Sequence, residues 1–401
     1  MRAGPTNSLL DVAGLRVGHA HRVGGGYRTG TTVVLAPFDG AVAGVDVRGA
    51  APGTRETELL DPRNLVERVH AVVLSGGSSF GLGAACGVME RLADAGAGYP
   101  VAAGAVPIVP AAVIFDLGRG GTFRATPDAA LGIAAYDAAC TPPQAVTADA
   151  PRQGATAYDA AWDGSPSATA SHSTTLDPAA FEPDPGPSRG RSVPGPGASA
   201  SPFFQGTAPA VASGSVGAGT GAVAGGLAGG VGTASVVLPG GTTVAALAVA
   251  NPAGSVLDPR DATLAGVRYG LPGEFDHLQP PDAREAQAWQ PEKAPAFNTT
   301  IGVAATDLTL TKAQCGKLAA VAHDGLARAI RPAHTMTDGD TIFGLATCAR
   351  PAPDHDAFQD VLAVAADVFS RAVAHAVLAA TGREGAPAYL DVFPSALRRR
   401  P

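Results

Sequence analysis

The chain has 401 residues, 46% of them hydrophobic and 16% charged, with 52 Gly and 34 Pro. This composition fits a globular protein rich in tight turns, long enough for one large layered domain or two to three average ones. The net charge is −7 and the only basic run is Arg398-Arg399-Arg400, which reads as a solvated tail, so a nucleic-acid partner is not expected.

Cys86, Cys140, Cys315 and Cys348 are too widely spaced for a metal or disulfide signature, and most of them read as small core residues. The first 21 residues, MRAGPTNSLLDVAGLRVGHAH, lack an apolar signal core. The most apolar runs are broken by glycines and threonines, so no membrane span is expected and a cytoplasmic location follows.

In chain order, residues 8–50 predict short strands and turns, with β-branched runs at 31–35 (TTVVL) and 43–47 (AGVDV). A hydrophobic strand over 70–74 runs into Gly76-Gly77-Ser78-Ser79-Phe80-Gly81, and a helix follows over about 82–95. Such a strand–turn–helix can hold an anion on free N–H groups, or its glycines can simply allow the helix to pack closely on a sheet. Residues 106–117 (VPIVPAAVIFDL) read as a buried strand or loop. Residues 140–206 are Pro, Ser, Ala, Gly and Asp with few large apolar groups, a low-complexity insertion expected to be disordered.

The glycine-rich stretch 215–235 reads as a close backbone approach to a ligand or as a flexible loop. Residues 236–250 predict a strand pair turned at Pro239-Gly240-Gly241 and ended by Asn251-Pro252. The polar, proline-containing stretch 260–295 reads as a surface excursion. A strand over 300–307, a helix over 311–330, a strand over 342–347 and a helix over about 355–381 complete one continuous α/β pattern.

Asn298-Thr299-Thr300 carries a possible chemistry. A Thr hydroxyl can attack the amide bond that precedes it and give an ester that water resolves. The freed Thr then has an α-amine of pKa about 7.7–8.0 beside its own hydroxyl, a base and a nucleophile in one residue. Alone, such a triplet is a weak signal. Asn251, Asp338 and Asp340 each read equally well as turn residues, and Asp338-Gly339-Asp340 lacks the further acidic ligands of a Ca²⁺ loop. His334 reads as a hydrogen-bond partner rather than a base.

Eight pieces, taken in order, change that footing: residues 9–20, 29–35, 44–62, 72–88, 106–117, 216–226, 297–307 (FNTTIGVAATD) and 334–343 (HTMTDGDTIF). Together they resemble the DmpA-type aminopeptidases and nylon-oligomer hydrolases, which are self-processing N-terminal-nucleophile hydrolases. The resemblance implies a four-layer α/β/β/α sandwich as a single catalytic domain, 1–401, cut between Asn298 and Thr299 into 1–298 and 299–401. It implies Thr299 as nucleophile, Asn251 as amide donor to the oxyanion, and Asp338 and Asp340 as the groups that orient the new amine.

The implied activity is an aminopeptidase or amidase acting on small peptides, amino-acid amides or related oligomers. No cofactor and no metal are implied, and the assembly is a homo-oligomer, a tetramer of processed protomers. An acyltransferase resembling ornithine acetyltransferase and an inactive relative remain alternatives. One departure stands out. Relatives near the nylon-oligomer hydrolases carry a catalytic lysine in or near the glycine-rich segment, whereas this chain has only Lys293, Lys312 and Lys317.

Overall fold

The computed structural model describes residues 1–141, 212–291 and 297–398, and the backbone of 204–208. Most of the expected insertion 140–206, the residue Lys293 and the last two arginines lie outside the described residues. Two six-stranded sheets carry the fold, with strands numbered along the chain. The first has the order β10 (Phe204–Ala208), β1 (Arg16–Gly24), β2 (Tyr27–Leu35), β6 (Ala71–Ser75), β9 (Ala111–Val113), β4 (Thr54–Arg55). The second has the order β13 (Gly230–Val237), β14 (Thr243–Ala250), β15 (Ile301–Leu308), β16 (Thr341–Arg350), β3 (Ala41–Val47), β5 (Arg68–Val69). Two ribbons pair β7 (Tyr99–Val101) with β8 (Gly104–Val106), and β11 (Val223–Ala224) with β12 (Leu227–Ala228).

Period-two alternation sorts the side chains into layers. Val34, Val72 and Leu74 of the first sheet meet Leu247, Val303 and Phe343 of the second in one buried cluster. Their neighbours point the other way. Val33, Leu35 and Val73 pack on Val88 and Leu131, from helices α1 (Ala84–Asp94) and α2 (Ala129–Cys140). Among the described residues, the one α-helix between α2 and the next long helix is the short α3 (Ala283–Ala288). Ala246, Ala304 and Ile342 pack on Leu318, Leu326 and Phe369, from α4 (Lys312–Ala329) and α5 (His355–Leu378). A short α6 (Tyr389–Val392) follows. Three clusters between four layers make the α/β/β/α sandwich.

Helix ends are set locally. Thr311 and Gln314 form a capping box on α4, and the Asp354 and Asp128 side chains cap α5 and α2. The helices sit very close to the sheets. A Cβ at Gly232 on β13 would lie 2.1 Å from Ala372 O and 2.2 Å from Ala376 N of α5. Gly232→Ala is therefore expected to push α5 off the sheet and cost about 1–3 kcal/mol, seen as a lower melting temperature. An unchanged melt would mean that α5 can shift freely.

Several boundaries differ from the sequence reading. A 3-10 turn over Ser78–Gly83 occupies the expected start of the helix at 82. Strand β13 begins at Gly230, so the glycine-rich stretch is partly sheet rather than loop. The expected insertion ends earlier than residue 206, because Phe204–Ala208 pair antiparallel with β1. The stretch 260–295 is no mere surface excursion: Leu264, Phe275 and Leu278 are buried. Arg398 is likewise tied down, its Nε donating to Leu278 O at 2.9 Å. Helix α5 is long and apolar enough to cross a membrane by length and composition alone, although it carries Asp367 and Arg371. Here most of it is buried in the core.

Candidate active site

Topology brings the expected residues to one edge of the second sheet. β14 and β15 are antiparallel, with Val249 opposite Ile301, so Asn251 follows β14 where Thr299 and Thr300 precede β15. β15 and β16 are parallel, with Ile301 opposite Thr341, so the turn holding Asp338 and Asp340 precedes β16 at the same edge. Asn251, Asn298, Thr299, Thr300, Asp338 and Asp340 are all buried.

Thr299 is pinned from three sides. Its N–H donates to Asn251 O at 2.9 Å. Its hydroxyl donates to Asn298 O, the carbonyl of the preceding peptide bond, at 2.5 Å. Gly339 N–H donates to that same hydroxyl at 3.1 Å. Gly339 must be glycine, since a Cβ there would lie 2.6 Å from Ala51 O and 3.0 Å from Thr299 Oγ1. The 44–62 piece forms the clamp over this turn: Ala51 N–H donates to Asp338 O at 2.8 Å and Arg48 N–H to Asp340 O at 3.0 Å.

The two aspartates do different work. Asp340 Oδ1 accepts from Thr300 N–H at 2.7 Å, and Oδ2 faces His334 Nδ1 at 2.8 Å. Asp338 Oδ2 accepts from Thr335 N–H and its hydroxyl at 2.9 and 2.6 Å. Asp338 Oδ1 is buried with no partner among the described residues. His334 stacks edge-on against His323, whose pKa burial lowers to about 4.

Asn251 Oδ1 accepts from Val223 N–H at 3.0 Å and from Arg119 Nη1 at 2.5 Å; its Nδ2 donates to Phe115 O at 3.3 Å. Arg119 also donates through Nη1 to Gly221 O at 2.6 Å and through Nη2 to Asn298 Oδ1 at 3.1 Å. Burial lowers its pKa to about 10, opposed by nearby Asp116. Burial in turn pushes the Asp116 carboxyl up, although Thr29 and Gly77 N–H hold its charged form. Arg383 donates to Gly221 O and Ala222 O at 3.0 and 2.6 Å, and burial, then Arg28 and Arg119, lower its pKa to about 10.

The sequence reading missed Arg119 and Arg383. The only local signal for Arg119 was its place among glycines, in Asp116-Leu117-Gly118-Arg119-Gly120-Gly121. Among the described residues, these arginines donate to the glycine-rich segment at Gly221 and Ala222, and Arg371 reaches its far end at Ser235 O. Lys312 is committed elsewhere, to Leu59 O and Asn64 O at 3.0 Å each. The Gly76–Gly81 turn is not an open anion cradle: Gly77 N–H is taken by Asp116 at 2.6 Å and Ser78 N–H by Ile114 O at 2.9 Å.

A cavity of about 60 Å³ opens beside Thr299, lined by Ser78, Phe115, Thr337 and by Phe297 and Asn298 themselves. A larger cleft, about 450 Å³, lies between Leu264, Phe275 and Tyr389 and touches none of the candidate residues.

A layered α/β/β/α fold of this kind is that of the N-terminal-nucleophile hydrolases. The L-aminopeptidase D-Ala-esterase/amidase of Ochrobactrum anthropi, solved as a variant of that fold, superposes with a TM-score of 0.61 at 19% identity, covering 99% of this chain and 96% of that one. The chain belongs to peptidase family S58, whose sequence pattern matches residues 7–149 and 192–388, and it is a peptide- or amide-bond hydrolase. It is 42% identical to an uncharacterized aminopeptidase of Mycobacterium leprae, over 99% of this chain and 97% of that protein. It is 29% identical to a 6-aminohexanoate-oligomer endohydrolase of a Kocuria species, over 84% of this chain and 74% of that protein.

Proposed function

We propose that the chain cuts itself between Asn298 and Thr299 and then uses Thr299 as an N-terminal nucleophile. Its substrates are amides at the free amino end of small peptides, amino-acid amides or related oligomers. One observation carries this reading: the Thr299 hydroxyl sits 2.5 Å from the carbonyl oxygen of the bond to be broken, with Gly339 N–H on the same hydroxyl. Attack by Oγ1 on the Asn298 carbonyl carbon forms an ester and releases the Thr299 amine; water then splits the ester. The amine next serves as base for its own hydroxyl.

Asn251 supplies two groups. Its carbonyl already accepts from Thr299 N–H, and its Nδ2 donates to the oxyanion. Asp338 Oδ1, buried without a partner among the described residues, takes the proton-bearing amine, while Asp340 fixes Thr300 beneath it. Phe297 and Asn298 fill the space in front of Thr299 until the cut frees them. The relatives named for aminopeptidase and 6-aminohexanoate-oligomer activity support the substrate class.

A cytoplasmic homo-oligomer, a tetramer of processed protomers without nucleic-acid partners, completes the proposal; the net charge of −7 supports its last part. N-terminal sequencing of the smaller fragment is expected to read TTIGV, beside fragments with the masses of 1–298 and 299–401. A soluble, active and uncut chain would sink the reading.

A further inference from the structure

The guanidinium of Arg119 touches the side chains on both sides of the reaction, Asn251 Oδ1 and Asn298 Oδ1. We propose that Arg119 is a positioning residue for both the cut and the hydrolysis, fixing the amide sense of Asn251 and holding Asn298 in register until the bond breaks. This rests on the reading of Thr299 as nucleophile and Asn251 as oxyanion donor.

A carboxamide has a donor end and an acceptor end of nearly the same shape. Turned the wrong way, Asn251 would present an oxygen to a developing negative charge. Two donors meet on its Oδ1, Arg119 Nη1 and Val223 N–H, so Nδ2 is left to face the other way. The neutral partners, Val223 N–H on Oδ1 and Phe115 O on Nδ2, favour the same sense but give a weaker bias than a charge-assisted hydrogen bond.

Arg119 is itself held rigidly. It sits in a turn where Gly118 and Gly121 have φ of +76° and +104°. A Cβ at Gly120 would lie 2.3 Å from the Tyr27 carbonyl carbon. Gly221 O takes a further hydrogen bond from Nη1. Arg383 shares that carbonyl. On cutting, Asn298 leaves and the Nη2 donor becomes free, so the same residue serves each reaction in turn.

The test is a mutant cycle on the full chain, with alanine p-nitroanilide as probe. Arg119→Met is expected to slow the appearance of the 299–401 fragment by on the order of 10²-fold. In cut protein it is expected to lower kcat by a similar factor, with KM within about threefold, the size of loss seen when an oxyanion donor is removed. For kcat of cut protein, Arg119→Met combined with Asn251→Ala is expected to be no worse than Asn251→Ala alone, because after the cut Arg119 acts through Asn251. A residue that only supports the fold would give additive losses. Arg119→Lys, keeping the charge and fewer donors, is expected between wild type and Arg119→Met.

Additive losses of kcat in the double variant, or wild-type cutting and kcat in Arg119→Met, overturn the assignment. If circular dichroism shows Arg119→Met unfolded, Arg119→Lys carries the same cycle, and additivity there overturns it equally. An uncut but active wild type overturns the self-processing reading and the first half of this proposal; the kcat cycle then decides the second half by itself.

Discussion

Thr299→Ala is expected to yield one uncut chain of 401 residues and to lose amide hydrolysis by on the order of 10⁴-fold or more, the scale on which removing a nucleophile acts. Both losses come from one oxygen. In the proposed mechanism, the hydroxyl that faces Asn298 O both breaks the chain and later attacks substrate. The variant should still fold. Losing the hydroxyl leaves Gly339 N–H without its acceptor, which costs about 1–3 kcal/mol. A modest fall in melting temperature is therefore expected beside a complete loss of cutting.

Thr300→Ala provides the contrast. Thr300 contributes its N–H to Asp340, and its own hydroxyl has no hydrogen-bond partner among the described residues, so the cut position should not move. Mass spectrometry of the two variants separates them. Cutting in Thr299→Ala at the wild-type rate would remove Thr299 from the mechanism.

The largest loss of stability is expected from Arg371→Met. Arg371 is buried on α5 and bridges distant parts of the chain. Nε and Nη2 donate to Glu274 at 2.6 and 2.9 Å, Nη1 to Ser235 O at 3.0 Å and Nη2 to Asn7 Oδ1 at 2.7 Å. Glu274 also accepts from Leu271 N–H at 2.9 Å and meets His375 Nε2 at 2.7 Å. Removing the guanidinium strands a buried carboxylate, which costs about 3–5 kcal/mol.

The loss depends on pH. Burial alone would raise the Glu274 pKa, but hydrogen bonds from His375 and Arg371 outweigh it and hold the carboxyl well below its ordinary 4.5. A depressed carboxyl stabilises the fold above that ordinary value and loses its contribution as pH falls below it. In the variant, Glu274 can instead take up a proton. The melting-temperature gap between wild type and Arg371→Met is therefore widest near neutrality and narrows below about pH 4.5. A gap that stays constant from pH 7 to 4 would mean that Glu274 is not the group left unpaired.

How much of this was legible in the sequence follows from the range of each interaction. Strands such as 31–35 and the helix at 311–330 were readable because alternation and helical spacing are local. The family-like order of pieces pointed to Thr299, Asn251, Asp338 and Asp340, and the structure gathers all four at one sheet edge. Arg119 was not readable, because it meets Asn251 across 132 residues and Asn298 across 179. The stretch 260–295 was misjudged for a similar reason. Its polar composition hides Glu274, whose partner Arg371 lies 97 residues away.

The order of the second sheet has a consequence for molecularity. Strands β15 and β16 follow the proposed cut, yet they lie between β14 and β3, which precede it. The two pieces are therefore interleaved, like the fingers of two hands, and neither can leave without stripping ladder hydrogen bonds from the centre of the sheet. Before the cut, folding is a reaction of one chain with itself. After it, reassembly would need two separate chains to meet, one with four strands of that sheet and the other with two. The proposed cut would thus leave a fold held chiefly by the slowness of its unfolding, with the precursor as the form that can find the structure.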